Sequence, residues 1–260
     1  MNANRPLILC REGAIAHLRF NRPQSLNAID TATAKALLAA SDELTRDPSV
    51  RAVVLSGEGK GFMAGGDLAQ MKADPQSIPT ALIDPLHAAL VKLASLDAPV
   101  IASVHGVVAG AGVSMMLAAD LAIAAEGTRF VLAYLNIGAS CDGGASFALP
   151  RVVGLRKALE IALLNESFDA AEALRLSLVN RVVPAAQLEA ETMKLAQRLA
   201  DGPTRAIGRM RRLMRRSFAS DFAAQLEAEK ECFAASTATR DFAEGVRAFL
   251  EKRPARFEGS

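Results

Sequence analysis

A glycine-crowded turn directly after an apolar strand is the feature that most limits how this chain can fold. Ala52-Val53-Val54-Leu55 is β-branched enough to be an enclosed strand, and residues 57–66 then carry Gly57, Gly59, Gly61, Gly65 and Gly66 before a helix-like Leu68-Ala69-Gln70-Met71. The plan recurs downstream. Val100-Ile101-Ala102-Ser103-Val104 reads as a second buried strand, Gly106, Gly110 and Gly112 follow it, and a helix begins at Val113-Ser114-Met115-Met116-Leu117.

A backbone this bare can approach a ligand closely. Glycine reaches dihedrals closed to other residues, so peptide N–H groups at such a turn can converge, and a helix starting just beyond adds the positive end of its dipole. The guest expected is an oxygen carrying negative charge. It is not a phosphate of the familiar kinds: Gly57, Gly59 and Gly61 give Gly-x-Gly-x-Gly, which fits neither the Walker A loop nor the dinucleotide fingerprint. Two such turns lying side by side would offer two N–H groups to one oxygen, the geometry of an oxyanion hole. A tight strand-to-helix turn with no ligand is the plainer reading of either loop alone.

The second strand lies in an uncharged run of twenty residues, Val100 to Ala119, long enough to cross a bilayer. His105-Gly106 and Gly110-Ala111-Gly112 interrupt it and no basic cluster flanks it, so a strand, a turn and a helix inside a globular core are expected, not a membrane span. With 51% hydrophobic and 22% charged residues the chain has the balance of a folded globular protein, and a net charge of +2 gives it no general attraction to nucleic acid or membrane. Cys10, Cys141 and Cys232 are odd in number and far apart, which fits a reducing compartment. No metal-ligand spacing occurs, so no metal site is expected, and the polar start without an apolar segment makes cytoplasm the expected location.

Taken in order, residues 7–9 and 14–20 read as a hairpin and Asp30 caps a helix over 31–44. Further helices are expected over 80–95, 156–164, 170–175 and 185–200, a short strand over 121–124, and irregular chain from Arg129 to Pro150. After Gly202-Pro203 the texture turns purely helical, with helices over 204–218, 223–235 and 242–250. Two units follow: a mixed strand–helix core over 1–202 and a helical C-terminal region over 203–260.

With both glycine loops and the Asp142 loop read, the chain resembles the enoyl-CoA hydratase/isomerase (crotonase) family. The resemblance rests on Asn21-Arg22-Pro23 with Leu26-Asn27-Ala28, Gly61-Phe62-Met63-Ala64-Gly65-Gly66-Asp67-Leu68, the 106–112 loop, Asp142-Gly143-Gly144, Leu149-Pro150-Arg151 and the ending Glu244-Gly245-Val246-Arg247-Ala248-Phe249-Leu250. It implies an α/β fold, a crotonase-like spiral of ββα repeats with a helical C-terminal trimerisation region, assembled as a homotrimer or a dimer of trimers. It implies an acyl-CoA substrate, with coenzyme A as part of the thioester and no prosthetic group. Matching positions make Ala64 and Ala111 the oxyanion donors. Leu26, Ala64, Gly65, Gly66 and Asp67 would border the CoA, with Phe249 and Lys252 reaching a CoA site, a neighbour's included.

The side chains around the hole choose the reaction. Hydratases of the family use two glutamates, and the matching positions here are Ser114 and Tyr134, neither a general base near neutral pH. Asp142 stands where several double-bond isomerases of the family carry the acid that moves a proton between carbons of the acyl chain. The competing reading makes Asp142 the cap of a helix starting near Ala145. His87, four residues from Ile83 and Val91, reads first as a histidine packed among aliphatics, and a dehalogenase member of the family has a catalytic His at this place. That enzyme has a Trp matching Tyr134, and this chain has none. The expected function is a double-bond shift on an acyl-CoA by Asp142, with His87 an auxiliary acid or base. The alternatives are enoyl-CoA hydration or a weakly catalytic CoA- or RNA-binding protein. Arg205, Arg209, Arg212 and Arg216 recur on one side of the 204–218 helix, expected to be a solvated outer face.

Overall fold

The computed structural model describes residues 5–260. Leu7–Glu12 (β1) and Ile15–Phe20 (β2) pair antiparallel as the expected hairpin. The following helix, Thr31–Arg46 (α1), opens where Asp30 Oδ1 accepts the Thr33 N–H at 2.7 Å. Ala52–Gly57 (β3) then adds to β2 in parallel. The short helix Leu68–Ala73 (α2) ends the first glycine loop, and a π-helical turn at Pro79–Ile83 leads into Asp84–Ser95 (α3).

From here each passage of the chain contributes to two sheets. Val100–Val104 (β4) joins β3 in the large sheet, and Val107–Ala109 (β5), only two residues later, enters a small one before Ala111–Ala118 (α4). Leu121–Ala125 (β6) and Arg129–Val131 (β7) repeat the step. After Ala145–Val153 (α5) and Leu155–Leu164 (α6), Phe168–Asp169 (β8) closes the small sheet, Ala170–Arg175 (α7) intervenes, and Arg181–Val183 (β9) closes the large one. The sheets run β1-β2-β3-β4-β6-β9 and β5-β7-β8. The stretch from Arg129 to Pro150, expected to be irregular, therefore contains a strand, a 3-10 turn at Tyr134–Ile137 and most of a helix.

The large sheet is enclosed on both faces, which explains why its strands read as continuous apolar runs. Val53, Leu55, Val100, Ala102, Val104, Ala122 and Ala124 face the main core with α1 and α3, while Val54, Ile101 and Ile123 face Leu188, Leu195 and Ala196 of Leu188–Ala200 (α8). The uncharged run 100–119 is spent in this core, and among the described residues no helix is long and apolar enough to cross a membrane.

Thr204–Arg216 (α9), Phe222–Thr237 (α10) and Arg240–Leu250 (α11) form the helical ending. The anticipated stripe is largely the solvated face expected, with Arg205, Arg212 and Arg216 exposed and Arg209 half-buried. Arg212 Nη1 meets Asp97 Oδ1 at 2.8 Å, and Arg209 Nη1 donates to Ser236 Oγ at 3.2 Å. Two arginines outside the anticipated stripe make the stronger clamp. Arg215 Nη2 donates to Asp120 Oδ1 at 2.9 Å, and Arg211 Nη2 lies 2.7 Å from Asp120 Oδ2 in an ion-pair contact without hydrogen-bond alignment. Arg211 Nη1 also donates to the carbonyls of Leu96 and Ala98, and Asp120 Oδ2 accepts the Val100 N–H at 2.7 Å. Removing one partner of an enclosed pair leaves the others desolvated and unpaired. Asp120→Asn should therefore lower stability by about 3–5 kcal/mol in urea unfolding; a loss under about 1 kcal/mol would show the cluster to be a solvated surface pair.

Candidate active site

The first glycine loop is held from inside by Phe62, fully buried with its ring edge-to-face on Phe20 of β2 at 5.9 Å. Its neighbour Met63 bridges in parallel to Val108, so the first loop pairs directly with the second. The contact is backbone on backbone. A Cβ on Gly112 would lie 2.3 Å from the Met63 carbonyl oxygen, and one on Gly106 would lie 1.9 Å from that of Lys60, so neither position admits a side chain.

This pairing brings the two turns together as anticipated, but the unpaired peptide N–H of the first turn is not the one expected. The Ala64 N–H donates to the Leu26 carbonyl at 3.0 Å, so Ala64 is not a free donor. Two peptides on, the Ile29 N–H donates to Gly65 O at 2.8 Å and the Asp67 N–H to Ile29 O at 2.9 Å, forming a parallel bridge between Ile29 and Gly66. In such a bridge the residue flanked by the two bonds turns its own N–H away from its partner. Gly66 therefore directs its N–H away from Ile29, and among the described residues that N–H has no acceptor. The same is true of Ala111, the first residue of α4, whose N–H no helical carbonyl can reach. The Gly65 and Ala111 peptides pack closely enough that a Cβ on Gly65 would stand 3.8 Å from the Ala111 nitrogen.

Asn27 is the keystone that sequence reading passed over. Completely buried, it accepts the Arg22 N–H at 2.8 Å and donates from Nδ2 to the Glu58 and Gly61 carbonyls, each at 2.8 Å. It and Leu26 both take left-handed backbone angles, φ 58° and 49°, uncommon for residues with a side chain. Asp67 is engaged structurally: its carboxylate caps α2 and pairs with Arg22 at 2.8 Å, and that hydrogen bond holds its pKa below the usual carboxylate range.

One helical turn past Ala111, buried Ser114 begins a polar chain. Its Oγ lies 2.9 Å from the Tyr134 hydroxyl, which donates to Asp142 Oδ1 at 2.5 Å. Asp142 does not cap α5 with its side chain; the N-cap is Gly144, and only the Asp142 carbonyl accepts the Ala145 N–H. Burial and the adjacent Asp142 charge push the Tyr134 pKa far above that of a free phenol, so the hydroxyl stays protonated. His87 is exposed, contrary to its expected packing among aliphatics, and its Nε2 accepts the Gly143 N–H at 3.1 Å. Since a peptide N–H can only donate, that nitrogen carries a lone pair and the ring proton resides on Nδ1.

Asp142, His87 and Gly143 border an open apolar cavity of about 1160 Å³ between α3, α5 and α9, walled by Leu90, Phe147, Val152, Met210 and Phe218. Asp120 also borders it but is committed to its arginines. Phe249, 83% exposed, and Lys252 stand apart from this arrangement, Phe249 lining a second apolar cavity with Phe242 and Phe257.

A family model described as enoyl-CoA hydratase/isomerase matches residues 10–260. The chain belongs to the enoyl-CoA hydratase/isomerase family. Among curated relatives it is 36% identical over 245 residues to a protein named "Probable enoyl-CoA hydratase" of Rhodobacter capsulatus, covering 94% of this chain and 95% of that one. It is 33% identical over 252 residues to the 1,2-epoxyphenylacetyl-CoA isomerase of Escherichia coli, covering 95% and 96%. A solved enoyl-CoA hydratase from Mycobacterium smegmatis superposes with a TM-score of 0.91 at 34% identity, covering 97% of this chain and 98% of that one. The two-sheet spiral with its helical ending is the crotonase fold, and the chain is an enzyme of this enoyl-CoA hydratase/isomerase family.

In this family member Asn27→Ala would leave the Glu58 and Gly61 carbonyls without their donor. A buried group so orphaned costs about 1–3 kcal/mol. The variant should lose at least that much stability in chemical unfolding, together with its affinity for CoA esters by calorimetry; wild-type values for both would remove Asn27 from its keystone place.

Proposed function

We propose that the protein is an acyl-CoA isomerase that shifts a carbon–carbon double bond. One observation carries the reading: of the two carboxylates bordering the apolar cavity, Asp142 alone has an oxygen, Oδ2, with no hydrogen-bond partner among the described residues. On a 3-enoyl thioester, Oδ2 takes a proton from C2 and returns it to C4. The C2–H bond breaks, the C4–H bond forms and the double bond moves into conjugation. The intermediate charge rests on the thioester oxygen, between the N–H groups of Gly66 and Ala111. One such preorganised donor is worth roughly 2.7–4 kcal/mol of barrier.

Water addition is the second reading within the family. It is disfavoured because Ser114 and Tyr134 are bonded to each other and neither supplies a base. His87 offers an Nδ1–H to a nearby group, a donor rather than a base in this arrangement. The apolar walls suit the acyl portion, and bare Gly65 and Gly66 suit the approach of the CoA.

Purified protein offered a 3-enoyl-CoA and, separately, a 2-enoyl-CoA should generate the conjugated thioester chromophore from the first and leave the second largely unhydrated. Rapid hydration without double-bond movement would reverse the assignment. Asp142→Asn should lower kcat by about 10²–10⁴-fold, the contribution of one positioned acid–base group, while CoA-ester binding persists; full activity would take Asp142 out of the chemistry.

We also propose assembly with copies of itself as a trimer or dimer of trimers, supported by the exposure of Phe218, Phe222, Phe249 and Leu250. Light scattering should give three or six times 27.4 kDa; a single-chain mass would contradict it.

A further inference from the structure

We propose that Tyr134 is the positioning residue that commits Asp142 to carrying the substrate proton on Oδ2, and that keeps solvent water off Oδ1. The inference rests on the isomerase reading and adds to it a reason why the site moves protons rather than adding water.

The hydrogen-bond chain has a direction. A phenol has one proton, and at 2.5 Å from Asp142 Oδ1 that proton lies towards the carboxylate, in the range of a charge-assisted O–H···O⁻ bond. Tyr134 Oη must then accept from Ser114, which lies 2.9 Å away on α4. Ser114 to Tyr134 to Asp142 thus runs one way, each bond polarising the next. The direction persists because the phenol, buried and beside a carboxylate, resists ionisation.

Other polar groups around Asp142 do not compete for it. His87, on α3, spends Nε2 on the Gly143 N–H. Arg151, on α5, lies with its guanidinium 3.6 Å over the Phe147 ring and donates to the Phe147 carbonyl at 2.7 Å. Asp120, Arg211 and Arg215 bind one another. Among the described residues Oδ1 is therefore closed by Tyr134 alone, and Oδ2 is the oxygen of Asp142 left open to substrate.

Placement of Tyr134 has a local cost. Ala133, just before it, holds φ 60°, a left-handed conformation unfavourable for a residue with a Cβ. Asn165 secures the turn: its Oδ1 accepts the Ala133 N–H at 2.7 Å and its Nδ2 donates to Asn136 Oδ1 at 2.7 Å. Asn165 is itself left-handed, with φ 55°. One strained residue, Ala133, thus precedes the phenol that enters the site, held in place by an asparagine in the ordinary left-handed cap of α6.

The consequence is mechanistic. With the acyl chain seated over Oδ2 and the phenol on Oδ1, solvent has no second approach to the carboxyl group, so a proton taken by Oδ2 is delivered to C4. A nucleophilic water, in turn, finds the position beside Oδ1 already filled by the phenol.

The test uses a 3-enoyl-CoA deuterated at C2, with the product read by mass spectrometry for deuterium at C4. The wild type should carry most of the label across. Tyr134→Phe should release most of it to solvent and lower kcat at least about tenfold, the scale of one hydrogen bond to a charged group, with KM unchanged within about threefold. Ser114→Ala and Asn165→Ala should shift label transfer the same way by smaller factors, which keeps the test open if Tyr134→Phe folds poorly. Wild-type label transfer and kcat in folded Tyr134→Phe would overturn the inference and leave the isomerase reading standing. A wild-type protein that moves no double bond would sink the isomerase reading. Tyr134 is then judged by deuterium washout from C2 of a saturated acyl-CoA, where different rates in wild type and Tyr134→Phe support its role and equal rates overturn it.

Discussion

Everything at the candidate site depends on two loops meeting backbone to backbone. Gly112 pressed on the Met63 carbonyl and Gly106 on that of Lys60 leave no room for side chains, and the Met63–Val108 bridge fixes the register between them. A one-residue slip in that register would reverse which peptide groups face the gap. Because both loops leave strands of one doubly enclosed sheet, their spacing is set by the core and not by the loops themselves. Phe62 against Phe20, and Asn27 under three backbone groups, lock the first loop to that core before any substrate arrives. Preorganisation of this kind lets an N–H pair stabilise charge at the moment it forms, without reorganising first.

The second dependence is polar. Ser114 sits on the same short helix whose first peptide is Ala111, so the oxyanion side and the proton-transfer side of the proposed chemistry share one rigid element. Tyr134 reaches that element from the small sheet's neighbourhood through a left-handed turn, and Asp142 reaches it through the loop that His87 holds by the Gly143 N–H. Four segments, α3, α4, the Tyr134 turn and the Asp142 loop, thus meet around one carboxylate.

What the sequence showed and what it hid follow from the range of the forces involved. The hairpin, the Asp30 cap, strands β3 and β4 and helix α7 were legible because apolar alternation and capping act over a few residues. Strands β5 and β7, three residues each, carry no readable period and exist because the small sheet pairs them. The loop motif pointed to an oxyanion hole with Ala64 as a donor, yet the Ala64 N–H is taken by Leu26, more than thirty residues earlier in the chain, and the Ile29 bridge leaves the Gly66 N–H unpaired among the described residues instead. The Arg211 and Arg215 clamp beside the solvated stripe was not legible because its partner Asp120 lies far earlier in the chain. His87, Asp142 and Tyr134 were picked out by family position, whereas the bond from the Tyr134 phenol to Asp142 has no signature in sequence.

The central claim is that one thioester oxygen sits between Gly66 and Ala111 while Asp142 faces the carbons whose protons move. A crystal structure with a bound saturated acyl-CoA tests it most directly. The account predicts the thioester oxygen about 2.7–3.1 Å from both peptide nitrogens, Tyr134 still on Asp142 Oδ1, and Oδ2 turned to the acyl chain between C2 and C4. A thioester oxygen bound elsewhere, or an acyl chain directed away from Asp142, would contradict it.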